Sequence, residues 1–406
     1  MNAIADKLSR VAALRPNART LAPSISKSDQ LIQQMGGEKR INDLGSHIAF
    51  RSCFTEPQPK TVDIQTLRFL SPEAPDSSCD LGQWLFLDTE TTGLAGGTGT
   101  YAFLVGLAWW EKDGFVVEQF FMKDHSEEPS LLLGISDHLA RRPILVTFNG
   151  KSFDWPLLQT RYQMTRAGAV PSPRLHLDLL HPSRQLWRLR LQSVALTQLE
   201  TYVLKLNRGQ DIPSETIPQI YFDFLRGGRP EPMAEVFRHN QLDLCGLASL
   251  ALHVCHILAD PENRDCCAED LFGMSRLLQR RGAHDLAGRI YRKALAGGLA
   301  APAEQIAQRE LALLAKRGQD YNLSNSFWEK LLGDTVEGLN AYEQLAIYYE
   351  HKARLPGKAA LLVRESILKL QEAFRAGRIS SGKYMQLYEK FQYRLARLNK
   401  KLQYNL

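Results

Sequence analysis

Asp88 and Glu90 stand two residues apart in the stretch WLFLDTETTG, Trp84–Gly93. The run is apolar until it meets the first acid, so it reads as a buried strand that ends in carboxylates. In an extended chain, residues two apart point to the same side. Two like charges so placed repel and raise a pKa unless a cation lies between them. An all-oxygen site of this kind suits Mg²⁺ or Mn²⁺. A bare D-x-E is also what two solvated acids at a strand end look like, and two further segments add to it. In ILVTFNGKSFDWP, Asn149 ends a second apolar run and Asp154 opens a helix, where an acid also serves as a cap. In FRHNQLDLCGL, His239 and Asp243 are four apart and share one helix face. A lone pair of that kind is commonly a surface hydrogen bond; three such segments in this order are a constellation.

The elements that must position these residues follow from periodicity. WLFLD, YAFLVGLAWW and FVVEQFFM read as strands, the last two joined by the turn EKDG. PSLLLGISDHLARR reads as a helix, ILVTFN as a strand, DWPLLQTRYQM as a helix with Pro156 in its first turn, and RLHLDLL as a fifth strand. Strands followed by alternating helices and strands predict an α/β layout, a mixed sheet flanked by helices. Residues 185–262 read as mainly helical, ending in one long helix from about Pro232 to Leu258. The six cysteines form no C-x-x-C pair and no zinc spacing, which points to reduced thiols.

Beyond about residue 270 the pattern becomes helix after helix. RRGAHDLAGRIYRKAL, KRGQDYNLSNSFWEKLL and EHKARLPGKAALLVRESI recur weakly, 36 residues apart from Gly282 to Gly318 and 34 from Gly318 to Lys352. That period is similar to the tetratricopeptide repeat; an irregular helical bundle is the alternative. Residues 271–406 hold 23 Lys and Arg against 12 Asp and Glu, whereas the preceding 270 residues hold 27 against 32. A basic half fits a polyanion partner, and equally a solvated helical face. Three regions are expected: an N-terminal arm and linker, poorly ordered, over 1–80 with one short helix around residues 28–35; an α/β domain over 81–262; and an all-α domain over 270–406. No apolar run approaches the ~20 residues of a membrane span and the start lacks a secretory pattern, so a cytoplasmic protein without membrane contact is expected.

FLDTETTG, NGKSFD and HNQLD resemble the three motifs of the DEDD superfamily, the ribonuclease H-like 3′–5′ exonucleases. Within it, LDTETTGLAGGTGTYAFLVG, FNGKSFDWPLL, HLDLLHPSRQLW, LETYVL, DIPSETIPQIY and HNQLDLCGLASL resemble the YprB family, some members of which carry helical repeats after the nuclease domain. The resemblance covers residues 81–255. It implies that Asp88, Glu90, Asp154 and Asp243 hold two Mg²⁺ or Mn²⁺ ions, ~4 Å apart, with His239 as general base. His239 stands four residues before the last aspartate, where the superfamily's tyrosine-bearing members place their base; histidine-bearing members usually place it five before. It also implies that Thr91 meets the terminal nucleotide of a single-stranded DNA or RNA substrate.

Other residues are candidates on their own chemistry. Asn149 and Lys151 suit substrate contact. AGGTGT could offer backbone N–H groups to a phosphate or serve only as a hairpin connection. Phe153 and Trp155 could stack on a base or pack under the sheet. Asp178 ends a strand in a supporting place. HPSRQLWRLR, with Trp187 among its arginines, suits a single strand and equally the outside of a helix. Three functions remain open: a metal-dependent exonuclease; a nucleic-acid-binding scaffold whose repeats recruit a protein partner; and a structure-selective endonuclease using the same acids.

Overall fold

The computed structural model describes residues 29, 32–33, 35–93 and 99–404. Seven strands form one mixed sheet: β1 (Glu38–Asn42), β2 (Gly45–Phe54), β3 (Trp84–Thr91), β4 (Ala102–Glu111), β5 (Gly114–Phe121), β6 (Ile144–Thr147) and β7 (Leu175–Asp178). Their spatial order is β1-β2-β5-β4-β3-β6-β7. β1 through β5 pair antiparallel, whereas β6 lies parallel to β3. The near-continuous apolar runs of β3 and β4 are explained by their central place, with both faces covered. The helices are α1 (Ile64–Leu70), α2 (Glu128–Arg141), α3 (Asp154–Thr165), α4 (Leu180–Trp187), α5 (Ile217–Leu225) and α6 (Glu231–Ala259). Then come α7 (Ala268–Arg280), α8 (His284–Ala296), α9 (Ala303–Arg317), α10 (Tyr321–Leu331), α11 (Val336–His351), α12 (Pro356–Arg375) and α13 (Ser381–Tyr404).

The chain divides into two compact units. The first takes the chain up to Pro59, then Asp80–Leu177 and Lys205–Ser249. Its core joins the sheet to Leu131 and Ile135 of α2, Leu158 and Tyr162 of α3, and Val236 and Phe237 of α6. Tyr221 of α5 stacks flat on Phe103 of β4, ring centroids 3.9 Å apart. This is the expected α/β sheet with helices.

The N-terminal arm departs from expectation. Residues 38–54 are a hairpin, β1–β2, that extends the sheet beyond β5 rather than a loose arm. β2 buries four consecutive residues, His47 to Phe50, so no strict alternation marks it. β1 is mostly exposed and polar, with Ile41 turned to solvent, as suits an edge strand. α1 follows, capped by Asp63, whose carboxylate accepts from the Thr66 N–H at 3.0 Å. The short helix expected around residues 28–35 lies mostly outside the described residues. Within the stretch 185–262 that reads as mainly helical, LQSVALTQLETYVL forms only a short helix, Leu196–Leu199, and a wider turn over Glu200–Leu204.

The second unit takes Lys60–Cys79, Asp178–Leu204 and everything from Leu250 onward. Its helices pack as sequential neighbours, α7 on α8, α9 on α10, α11 on α12 and α12 on α13. The recurring segments fall on the turns inside these pairs, near Gly282, Gly318 and Lys352. One glycine is indispensable here. A Cβ at Gly273 on α7 would fall on the Gln185 and Leu186 carbonyls of α4, so α7 and α4 touch backbone to backbone. Among the described residues, α6 alone is long and apolar enough to cross a bilayer; 61% of its most apolar window is buried inside the fold.

Candidate active site

The site gathers at the carboxyl end of β3. Asp88 lies opposite Gly106 of β4, which lies opposite Gln119 of β5, so one row crosses three strands. The register shifts after Glu90, a bulge that ends regular pairing beside the acids. β6 runs parallel to β3 and stops at Thr147, so the turn after it and the start of α3 come to the same edge. There Asp154, buried at the first position of α3, accepts from the Thr89 hydroxyl at 2.5 Å.

α6 crosses this row. A Cβ at Gly106 would fall on the Asn240 amide, so only glycine lets α6 come this close. Asn240 donates to Asp88 Oδ2 at 2.7 Å, and its carbonyl accepts from Gln119 at 2.8 Å. Gln241 donates to Gln119 Oε1 at 2.9 Å. A chain of amides thus fixes the Asp88 carboxylate, and a fully joined network of this kind is rigid.

One turn of helix brings in His239 and Asp243. His239 is buried; its Nδ1 donates to Asp211 Oδ1 at 2.8 Å. That bond leaves Nε2 as the acceptor, 3.3 Å from the Ser214 hydroxyl and 3.5 Å from Asp243 Oδ2. Arg208 bridges the two acids, 3.0 Å from Asp211 Oδ2 and 2.6 Å from Asp243 Oδ1. Burial works to raise the Asp211 carboxyl, yet hydrogen bonds from His239 and Arg208 hold it below the ordinary range.

The electrostatics are unbalanced in one place. Burial, then the Asp243 and Asp154 carboxylates, push Asp88 well above the usual carboxylate range against the pull of Asn240 and Arg208. Burial, then Asp88, Asp243, Asp154 and Asp211, do the same to Glu90. Ligand atoms of Glu90, His239 and Asp243 all lie within 4.8 Å of one another. A pocket of carboxylate oxygens that cannot all stay ionised together is the donor set a hard divalent cation takes. The four acids and His239 therefore fit the metal site expected of them.

The chain is 30% identical over 285 residues to the YprB protein of Bacillus subtilis (strain 168), across 70% of this chain and 68% of that protein. The chain belongs to the YprB family. A family of the RNase_H superfamily matches residues 85–255, which run from β3 into α6 and contain every acid of the site. This YprB-family chain therefore has an RNase H-like nuclease fold. Among solved structures it is similar to a family B DNA polymerase from the hyperthermophilic archaeon Pyrobaculum calidifontis, with 16% identity and a TM-score of 0.35. That match covers 58% of this chain and 29% of the polymerase.

In this YprB-family member, Asp88, Glu90, Asp154, Asp243 and His239 come together. Thr91 is buried beside them, but its hydroxyl donates to the Gly93 carbonyl at 2.9 Å. Asn149, with φ of 68°, and the exposed Lys151 occupy the turn between β6 and α3. Trp155 packs edge-on against His176 under the sheet, not toward the acids. Asp178 is buried and accepts from the Leu180 N–H at 3.0 Å, where the chain enters α4. Trp187 is buried and stacked on His253, so it offers no face to a base. The glycine-rich AGGTGT lies mostly outside the described residues. Sequence reasoning did not single out Asn240, Gln119, Gly106, Arg208 or Asp211. Asn240 sits inside HNQLD and was within reach; the others touch the site only through pairing or a distant loop.

Proposed function

We propose that the protein is a metal-dependent nuclease that removes nucleotides from the 3′ end of single-stranded DNA or RNA. What supports this is the gathering of Asp88, Glu90, Asp154 and Asp243 at one strand end, with two of those carboxyls pushed up by their neighbours. Two Mg²⁺ or Mn²⁺ ions bound there would activate a water and stabilise the leaving 3′ oxygen. The chain's own residues do the rest. The amide chain through Asn240 and Gln119 holds Asp88 in one orientation. Asp211 sets the His239 tautomer so that Nε2 can take the proton from the attacking water. Arg208 pairs with both Asp211 and Asp243, so its charge would still be balanced by Asp211 were Asp243 to hold a cation. Thr91, next to Glu90, and Asn149 and Lys151, in the turn before Asp154, would contact the terminal nucleotide. The 3′ to 5′ direction and a nucleoside 5′-monophosphate product follow from the family resemblance. The helix pairs of the second unit are proposed to form a tetratricopeptide-like array that holds a protein partner.

The test uses 5′-labelled single-stranded DNA and RNA with Mg²⁺, Mn²⁺ or EDTA, beside Asp243→Asn. A ladder shortening from the 3′ end, absent with EDTA and in the variant, is expected. Discrete internal cuts would instead make it an endonuclease. A second readout needs no substrate: divalent cations should raise the wild-type Tm and leave that of Asp243→Asn nearly unmoved, because binding to the folded state alone adds stability.

A further inference from the structure

The second unit holds a cleft of about 400 Å³ between α4, α7 and the start of α9. Its rim carries Arg184 and Arg188 from α4 and the turn after it, and Arg276 and Arg280 from α7. Each pair is spaced four apart, so each presents both guanidinium groups on one face of its segment. The backbone contact at Gly273 is what brings the two faces together. Among the described residues lining the cleft none is acidic, and none of these four arginines is engaged in an ion pair. Two other arginines of the unit are, by contrast, held by carboxylates. Arg190, two residues beyond Arg188, is held by both oxygens of Asp270, at 2.8 and 2.9 Å. Arg289 is likewise held by Glu262.

Like charges four apart destabilise a helix, and two such pairs face to face compound the repulsion. An anion between them would relieve it. All four cations are arginines, whose planar forks match phosphate oxygens two at a time. Between the arginines the lining is apolar, with the half-exposed Leu189 and Ile306 beside the buried Phe272, whose ring Arg276 covers at 5.7 Å from its centroid. A ligand that offers phosphates to the rim and a flat ring to the floor matches both halves. The volume admits about one unstacked nucleotide and excludes a duplex.

We propose that this arginine cleft binds the phosphodiester backbone of a single strand, one base on its floor, as a second contact remote in sequence from the acids. The identity of the strand as substrate rests on the nuclease function proposed above; the cleft's preference for phosphodiester does not. The arginines of HPSRQLWRLR are then the part that meets a strand, while Trp187 serves the core.

The test is fluorescence anisotropy of a labelled 20-nucleotide single strand with the full chain in EDTA, across a salt series. Two variants are compared with wild type, Arg184→Ala/Arg276→Ala and the fourfold alanine variant. All four side chains are exposed, so an unchanged Tm shows that the variants fold. At fixed salt the double variant should bind about ten-fold more weakly. The fourfold variant should flatten the slope of log K against log salt by about 1.4, since the one nucleotide in the cleft is flanked by two phosphates and each phosphate neutralised on a single strand contributes about 0.7. Unchanged affinity and slope would overturn the proposal. So would competition by a glutamate-rich peptide as strong as that by unlabelled strand, which would make the cleft a seat for an acidic protein. Asp243→Asn separates the two ideas. If neither it nor the wild type cleaves and the fourfold variant still binds more weakly than wild type, the cleft stands and the nuclease function falls. If wild type cleaves and the fourfold variant binds as wild type does, the cleft falls alone.

Discussion

At the scale of single residues, the site is a balance between charge that burial rejects and groups that hold it in place. In the proposed nuclease, Asp211 is the residue that would orient the buried His239 as the base. It accepts from Nδ1, so Nε2 keeps its lone pair, and it takes part of Arg208 as well. Asp211→Asn keeps the shape but can present an N–H where Nδ1 needs an acceptor. Cleavage is expected to fall about 10–100-fold, the usual cost of losing such a supporting group. Strand binding in EDTA should stay within two-fold. An equal loss in both measurements would assign Asp211 to strand binding instead. The residues around it show what a sequence can disclose. Asp88 and Glu90 were legible because their spacing on a strand is local. His239 and Asp243 were legible for the same reason on a helix. Asn240 reaches Asp88 only because residue 106, far away in the chain, has no side chain. Arg208 and Asp211 sit in a loop whose periodicity says nothing about where it will fold back.

At the scale of elements, the two ends of the chain behaved differently. Strands β3 to β6 followed their apolar runs closely, because central strands are marked by composition alone. The β1–β2 hairpin was missed because an edge pair lacks that mark. In the helical unit, α11 and α13 are joined by two acids, Glu343, 2.7 Å from Lys390, and Glu350. Glu350 is buried on α11 and meets Arg394, Arg397 and Lys401 of α13 at 3.0, 2.6 and 2.7 Å. Burial works against its charge, but Lys401 and Arg397 prevail and draw its pKa from 4.5 to about 2. A carboxyl with a depressed folded pKa binds fewer protons folded than unfolded. Its stabilisation is therefore complete above pH 4.5 and fades as pH falls toward 2. The amount is on the order of 2 kcal/mol. Glu350→Gln should lower Tm at pH 7 by several degrees. It should also remove most of the difference between pH 5 and pH 3 that wild type shows. A variant with the wild-type acid profile would mean that other carboxylates set it.

At the scale of the whole molecule, charge is divided along the chain, acidic before residue 271 and basic after it. The helical part is also less separate than its position at the end of the sequence suggests. α4, from the middle of the chain, belongs to the second unit and is covered there by α7. A chain stopped at residue 262, the boundary that sequence periodicity recommends, would bare the face of α4 that Gly273 now touches. Such a chain is expected to be recovered largely as aggregate. A soluble, cooperatively melting product would show that the first unit needs nothing from the second.

The path of the chain between the units has a historical consequence. It passes from one to the other five times, at residues 59, 79, 177, 204 and 249. Modular proteins gain and shed domains by single breaks in a gene, and a helical array appended at a terminus is easily traded that way. Here no single break frees either unit intact. A lineage that altered the helical unit would have had to do so by point changes on its surface, with the nuclease fold inherited alongside at every step.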